Sequence, residues 1–369
     1  MLAIAVRKAT RQRWAAIAEE TRQIAAGDGK YVEERRISTV ASALAHPDKR
    51  PGVDGASQVV GEPAVQVAHD IFAQIQLSVQ NTTFFPHYSD SLAHWAAAPR
   101  CAQPSSRSTT IDFLHCSTLT AARRISVPNA QPVTGPSRIG VLSFASPKKP
   151  GGGYLHGGDE QEEVIARLSS LVASLTSPAA HGFYQEHRKY RNEDGSGLHD
   201  HSMVYSPGVV VFRADADDTE DVSPNDAVGG TFIPPYIINV LSAVPVNAAA
   251  VRSKHLILPS ERQFFEDGIG TVAKERMARA LRVFEERGDR TVILGAFGCA
   301  SSENNVETIA AIWAELLVCG DGSDAGEARF KDVFERVIFA VPGKQFARFK
   351  DAFEMRVFEG EVSKAALSD

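Results

Sequence analysis

The sequence predicts an α/β fold in which a buried β-sheet is covered on both faces by helices. Three observations predict it. From residue 110 onward, short apolar β-branched runs alternate with amphipathic stretches. The runs are continuously apolar, the mark of strands buried on both faces. The 369 residues, 43% hydrophobic and 23% charged, have the composition of a globular chain of about two units, or of one large domain with an extension.

The elements follow in order. IDFLHC (111–116) is an apolar run closed by Ser117 and Thr118, good N-cap residues for a helix through LTAARR. RIGVLSFA (138–145) reads as a buried strand. Over 164–175, Val164, Ile165, Leu168, Leu171, Val172 and Leu175 share one helical face. GVVVFRA (208–214) and YIINVLSAV (236–244) are further strands. ERMARALRVFEERG (275–288) is a helix stopped by Gly288, and TVILGAF (291–297) is a strand. Val306, Ile309, Ala310, Trp313, Leu316 and Leu317 form another helical stripe, and RVIFAVP (336–342) closes the series. The acidic segment 214–230 reads as an exposed loop.

Upstream, residues 3–26 carry Ile4, Trp14, Ile17 and Ile24 among charges, as a helix with one apolar side does. Linker-like Pro, Ser and Gly content follows at 45–62 and 99–109. The chain therefore divides into an accessory helical region (1–109), packing as a cap, and a main domain (110–369).

Lys plus Arg number 39 against 45 Asp plus Glu, a net charge of −6. A polyanion such as DNA finds no general basic surface here, so direct DNA binding is not expected and any anionic ligand needs a local site. Cys101, Cys116, Cys299 and Cys319 are scattered without CxxC spacing, which fits a reducing compartment. No apolar stretch reaches the ~18 residues of a membrane span. The first residues place apolar side chains before basic ones, the reverse of a secretory signal. The expectation is a soluble intracellular protein, cytoplasmic or nuclear.

The segment that carries chemistry is SFASPKKPGGGYLHGGDEQEEVIARLSSL (143–171). A strand ends, Pro150 stops it, and Gly151, Gly152 and Gly153 allow close backbone approach to a ligand. Gln161, Glu162 and Glu163 then open an amphipathic helix. Carboxylates at a helix start often only complement its dipole; the glycine run at this spacing points further. A second element, Gly295, Ala296, Phe297, Gly298, Cys299, Ala300 and Ser301, joins a strand to a helix and can offer backbone N–H groups to phosphate. Taken alone it is also an ordinary tight turn.

GGG, seven residues, then QEE resembles the signature of poly(ADP-ribose) glycohydrolases, enzymes built on a macrodomain. STLTAARR, the strand into FAS, MVYSPGVVVFR, INVLSAVPVNA and LGAFGC are similar to the bacterial-type branch, over about 110–342. The resemblance implies a macrodomain-like three-layer α/β/α sandwich with a mixed central sheet. It implies that the ligand is ADP-ribose or poly(ADP-ribose), free or on modified proteins, and a place in the reversal of ADP-ribosylation and the DNA damage response. Glu163 would protonate the leaving ribose oxygen and then activate water, a role that requires it to hold a proton near neutral pH, as a nearby diphosphate and a partly dry cleft would favour. Glu162 would bind ribose hydroxyls, Gln161 would place it, and the glycines, Ser143 and the 295–301 loop would hold substrate. No metal or redox cofactor is implied.

The chain departs from the branch in three places. Ser143 stands where relatives carry Asn, a ribose contact. His156, Gly158, Asp159 and Glu160 replace a pattern richer in Asn, Gln and Ala. Ala300-Ser301-Ser302-Glu303 lacks the aromatic that follows the loop in relatives. These changes motivate two alternatives: a slow or non-catalytic ADP-ribose-binding module, or a hydrolase of another ADP-ribose derivative.

Elsewhere, His199-Asp200-His201 reads as a solvated loop rather than a metal site, because i and i+2 side chains point apart on an extended segment. Cys299 reads as a small packing residue. Lys148 and Lys149 fit a solvated turn or a device steering an anionic polymer. GxxxxGK[ST], GxSxG and HExxH are absent from the sequence.

Overall fold

The computed structural model describes residues 2–36, 64–101, 108–126, 137–193, 196–218, 228–321 and 327–368. In chain order these form helix α1 (Leu2–Ala26), strands β1 (Lys30–Arg36) and β2 (Ala64–Asp70), α2 (Phe72–Asn81), β3 (Thr83–Phe85), β4 (Thr110–Leu114), α3 (Thr118–Ser126) and β5 (Ile139–Phe144). Then come α4 (Gln161–Leu168), α5 (Leu171–Leu175), α6 (His181–Glu193), β6 (Met203–Arg213), β7 (Phe232–Ala243), α7 (Ala248–Lys254) and α8 (Arg262–Arg287). The chain closes with β8 (Thr291–Leu294), α9 (Val306–Ala314), β9 (Arg336–Ala340) and α10 (Phe346–Ser368).

Seven strands make one mixed sheet in the order β3-β6-β7-β5-β8-β9-β4. β7, β5, β8, β9 and β4 run parallel, β6 runs antiparallel to β7, and the edge strand β3 runs antiparallel to β6. Successive residues of a strand face opposite sides of a sheet, so Val141 and Ile338 enter one core while Leu142 and Phe339 enter the other. The first core lies under α3 to α6, with Ile165, Leu168, Leu171 and Phe183; the second lies under α8 to α10, with Leu281, Phe284, Trp313 and Phe349. Two apolar faces account for the lack of polar alternation in the strands. The predicted three-layer α/β/α sandwich is the observed architecture.

Local differences have physical causes. The expected single helix over 164–175 is two. Between them, Ser169 pairs with Val211 across an isolated bridge, its Oγ donates to the Ile165 carbonyl at 2.6 Å, and the Ser170 Oγ accepts the Val210 N–H at 3.0 Å. Serine hydroxyls here compete with the helical ladder. The stripe ending at Leu317 changes from α-helix to a wider π turn at Glu315–Cys319.

The first hundred residues are not helical throughout. β1 and β2 form a separate antiparallel pair, and β3 joins the edge of the main sheet. α1 packs beside α4: Ala18 clusters with Tyr154 and Ala166, and the Thr21 hydroxyl donates to the Arg167 carbonyl at 2.7 Å. The linker expected at 45–62 lies outside the described residues, as does most of the loop expected at 99–109. No described helix is long and apolar enough to cross a membrane.

Candidate active site

Because five neighbouring strands run parallel, their carboxyl ends and the loops that follow gather on one edge, where open α/β sheets bind ligands. A cavity of about 1070 Å³ opens there. Its walls come from the turn after β4, the 144–163 segment after β5, the 244–247 turn after β7, the 296–302 loop after β8 and the 340–345 turn after β9.

Gln161 ties three elements together. Its Oε1 accepts the Phe144 N–H at 2.8 Å, and its Nε2 donates to the Leu142 carbonyl at 2.9 Å and to Thr118 Oγ1 at 3.1 Å. Glu162, 2% exposed, accepts the Ser146 N–H on Oε2 at 2.8 Å. Its Oε1 is buried without a partner among the described residues, although Glu162 lines the cavity. Burial pushes this carboxyl up to about 8, against the opposing pull of the Ser146 and Gly151 N–H groups.

Glu163, the next residue, points back at the glycine run. Oε1 accepts the Gly153 N–H at 2.6 Å and Oε2 accepts the Glu160 N–H at 2.9 Å. The approach is close enough that glycine is required. A Cβ on Gly153 would lie 2.7 Å from Oε1, and one on Gly158 would overlap the carboxylate. Gly152 and Gly153 line the cavity, whereas Gly151 is buried, at φ +68° and packed against Ala166, Tyr154 and Val172.

In the loop after β8, Ala296, Gly298, Ala300, Ser301 and Ser302 line the cavity. Among the described residues no acceptor takes the N–H of Gly298, Ala300 or Ser301. Gly298 has φ +71°, and a Cβ there would press on Asn304 and Pro245. Gly295, Phe297 and Cys299 do not reach the cavity surface. The Gly295 carbonyl accepts from the Trp313 indole at 3.0 Å, and Phe297 packs edge-on against Phe144. Burial pushes the Cys299 thiol up to about 12, in keeping with a packing residue. The helix expected near Glu303 begins at Val306, where the Asn305 side chain caps it by accepting the Thr308 N–H at 2.8 Å. The loop amides, rather than the first turn of that helix, therefore face the ligand space.

Ser143 is a correction. Its side chain is fully buried within β5 and is not part of the cavity wall. Residues 219–227 of the loop expected at 214–230 lie outside the described residues, but the readings of its described start and of 199–201 change. Asp215 is buried and accepts from the Ser117 hydroxyl at 2.8 Å, and Asp217 accepts the Ser117 N–H at 2.8 Å, so both carboxylates brace the turn after β4. Asp200 is buried, accepts the Ser202 N–H at 2.7 Å and pairs with His87 at 3.0 Å. His199 lines the cavity. Lys148 and Lys149 stand at the cavity wall.

Sequence reasoning missed Arg276. Buried in α8, it donates to the carbonyls of Val244 (2.9 Å), Leu198 (2.8 Å) and His199 (2.9 Å), clamping two cavity walls. Its only trace in the sequence is an arginine within an otherwise apolar helical face.

The model of the microbial-type poly(ADP-ribose) glycohydrolase catalytic domain matches residues 59–214, which include the PGGG turn and Gln161-Glu162-Glu163. Over those residues the chain is similar to this family. The match begins within the stretch taken above as accessory. Among solved structures, poly(ADP-ribose) glycohydrolase from Thermomonospora curvata is 27% identical at a TM-score of 0.64, over 94% of this chain and 99% of that one. The same glycohydrolase bound to the inhibitor ADP-HPD is 27% identical at 0.62 over the same shares. The glycohydrolase from Deinococcus radiodurans in complex with ADP-ribose is 29% identical at 0.59, over 76% of this chain and 96% of that one. No curated protein sequence gives a significant match.

Proposed function

We propose that the chain hydrolyses the ribose–ribose O-glycosidic bond of poly(ADP-ribose), releasing ADP-ribose, with Glu163 as general acid and then general base. One observation carries the assignment of roles: the Glu163 carboxylate and the amides of the 298–301 loop line the same cavity, so an acetal and its neighbouring pyrophosphate can be held together. The bound inhibitor and ADP-ribose in the Thermomonospora and Deinococcus glycohydrolases support this reading.

The chemistry follows from the geometry. Amides of Gly298, Ala300 and Ser301 hold the pyrophosphate. Glu163 gives its proton to the leaving ribose oxygen as the glycosidic C–O bond breaks, and positive charge develops on the ring oxygen and anomeric carbon. A water then attacks that carbon and returns a proton to Glu163. The unpartnered Glu162 Oε1 is placed to take a ribose hydroxyl. Glu162 and Glu163 are adjacent on one helical turn and do not form the facing pair of carboxylates that a covalent glycosyl-enzyme requires.

Incubation with poly(ADP-ribose) and chromatographic detection of free ADP-ribose tests the reading. Release of ADP-ribose is expected; tight binding without release would instead make the protein an ADP-ribose-binding module.

A further inference from the structure

A second groove, of about 450 Å³, lies beside the catalytic segment and is lined by Arg7, Lys8, Arg11, Gln12 and Ala15 of α1 together with His156. We propose that it binds the pyrophosphate of the polymer unit on the leaving-group side of the scissile bond. This rests on the glycohydrolase reading above and adds a subsite to it.

Two observations point to an anion in this place, and two fix the place relative to the active site. In a chain of net charge −6, α1 carries Arg7, Lys8, Arg11 and Arg13 before its first acidic residue, Glu19. Arg7, Lys8 and Arg11 are exposed, and none of the three forms an ion pair among the described residues. The groove is fixed relative to the active site, because the Arg11 carbonyl packs so tightly on Gly157 that a Cβ there would overlap it. His156 stands three residues from Gly153 and three from Asp159, both of which line the main cavity. Three residues of chain span at most ~11 Å, so the two spaces share one thin wall.

The chemistry of the polymer matches that distance. The oxygen that leaves belongs to a ribose whose own 5′ carbon carries the next pyrophosphate, one sugar away. A chain with its acetal at Glu163 must therefore set down a diphosphate just outside the catalytic turn. The amide loop at 298–301 already serves the pyrophosphate on the other side of the bond. Asp159 and Glu160 line the main cavity, whereas no carboxylate lines the second groove, whose ionisable residues are Arg7, Lys8, Arg11 and His156. Two or three guanidinium and ammonium groups there would supply salt-sensitive attraction without sequence or base recognition.

The test compares the full-length chain with Arg7→Ser/Lys8→Ser/Arg11→Ser on two substrates: poly(ADP-ribose), and an ADP-ribose O-glycoside of a small phenol, which has no leaving-side pyrophosphate. The expected result is a KM for polymer raised about tenfold at low salt, converging with wild type at high salt, with kcat/KM for the phenol glycoside unchanged. Equal KM values for polymer, or an equal loss on both substrates, would overturn the subsite. A milder variant, Lys8→Ser alone, with an unaltered melting temperature guards against misfolding and should show a smaller loss of the same kind. Wild type that turns over neither substrate would instead overturn the glycohydrolase reading itself.

Discussion

Glu163 and Gly153 are joined by a 2.6 Å hydrogen bond in which the glycine N–H donates to Oε1 of the carboxylate. The bond spans ten residues and makes the position of the acid depend on a backbone segment that tolerates no side chain. Gly153→Ala would place a methyl 2.7 Å from that oxygen. Displacing a reacting group by about an ångström costs ~10²-fold in rate. We expect kcat to fall about a hundredfold in a steady-state assay while ADP-ribose affinity, read by calorimetry, changes less than about threefold.

Glu162 predicts a pH effect on stability. Burial raises its carboxyl from 4.5 in the unfolded chain to about 8 in the fold. The folded state therefore holds the proton over a window in which the unfolded state has lost it. The stabilisation is complete below about 4.5, declines as pH rises, and is gone above about 8. Glu162→Gln removes this dependence. Denaturant unfolding of the ligand-free proteins should show the variant gaining on wild type by ~4 kcal/mol between pH 5 and 8.5. Parallel stability curves would contradict the burial argument.

Arg167 is a positioning residue. Its Nη1 donates to the Gly158 carbonyl at 2.7 Å, and its guanidinium lies 4.8 Å from the centre of the Trp14 ring. Gly158 precedes the Glu160 N–H that holds the second oxygen of Glu163. Arg167→Lys keeps a charge but loses the planar stacking. We expect kcat to fall about tenfold with KM little changed. A rise in KM alone would assign Arg167 to ligand binding instead.

Gly298 tests the phosphate side. With φ +71° and Asn304 and Pro245 against it, the position suits glycine alone. Gly298→Ala should twist the loop amides away from their ligand and raise the dissociation constant for ADP-ribose by about ten- to a hundredfold in calorimetry. Unchanged affinity would remove this loop from pyrophosphate binding.

Much of this site was legible in the sequence because its parts are local. Gly152, Gly153, Gln161, Glu162 and Glu163 lie within twelve residues, and the spacing alone brings them to one turn. The apolar runs likewise marked β4 to β9, since burial on both faces leaves little choice of side chain. What could not be read were contacts set by tertiary packing. Asp215 looked like part of an acidic loop, yet it is buried against Ser117, 98 residues away. Ser143 looked like a ligand contact because relatives carry a ribose-contacting Asn at that position, but its side chain is buried within β5. β1, KYVEERR, is mostly charged and β3 is only three residues long, so neither announces itself as a strand. Arg276 gave no local signal because its partners are carbonyls on two distant loops.

In the proposed mechanism one carboxyl, on Glu163, carries the proton in both halves of the reaction. The most direct measurement is the rate of ADP-ribose release from poly(ADP-ribose) by wild type and Glu163→Gln, alongside ADP-ribose binding by both. The expected result is a loss of ~10²–10⁴-fold in turnover with binding largely intact. Equal turnover by the two proteins would contradict it.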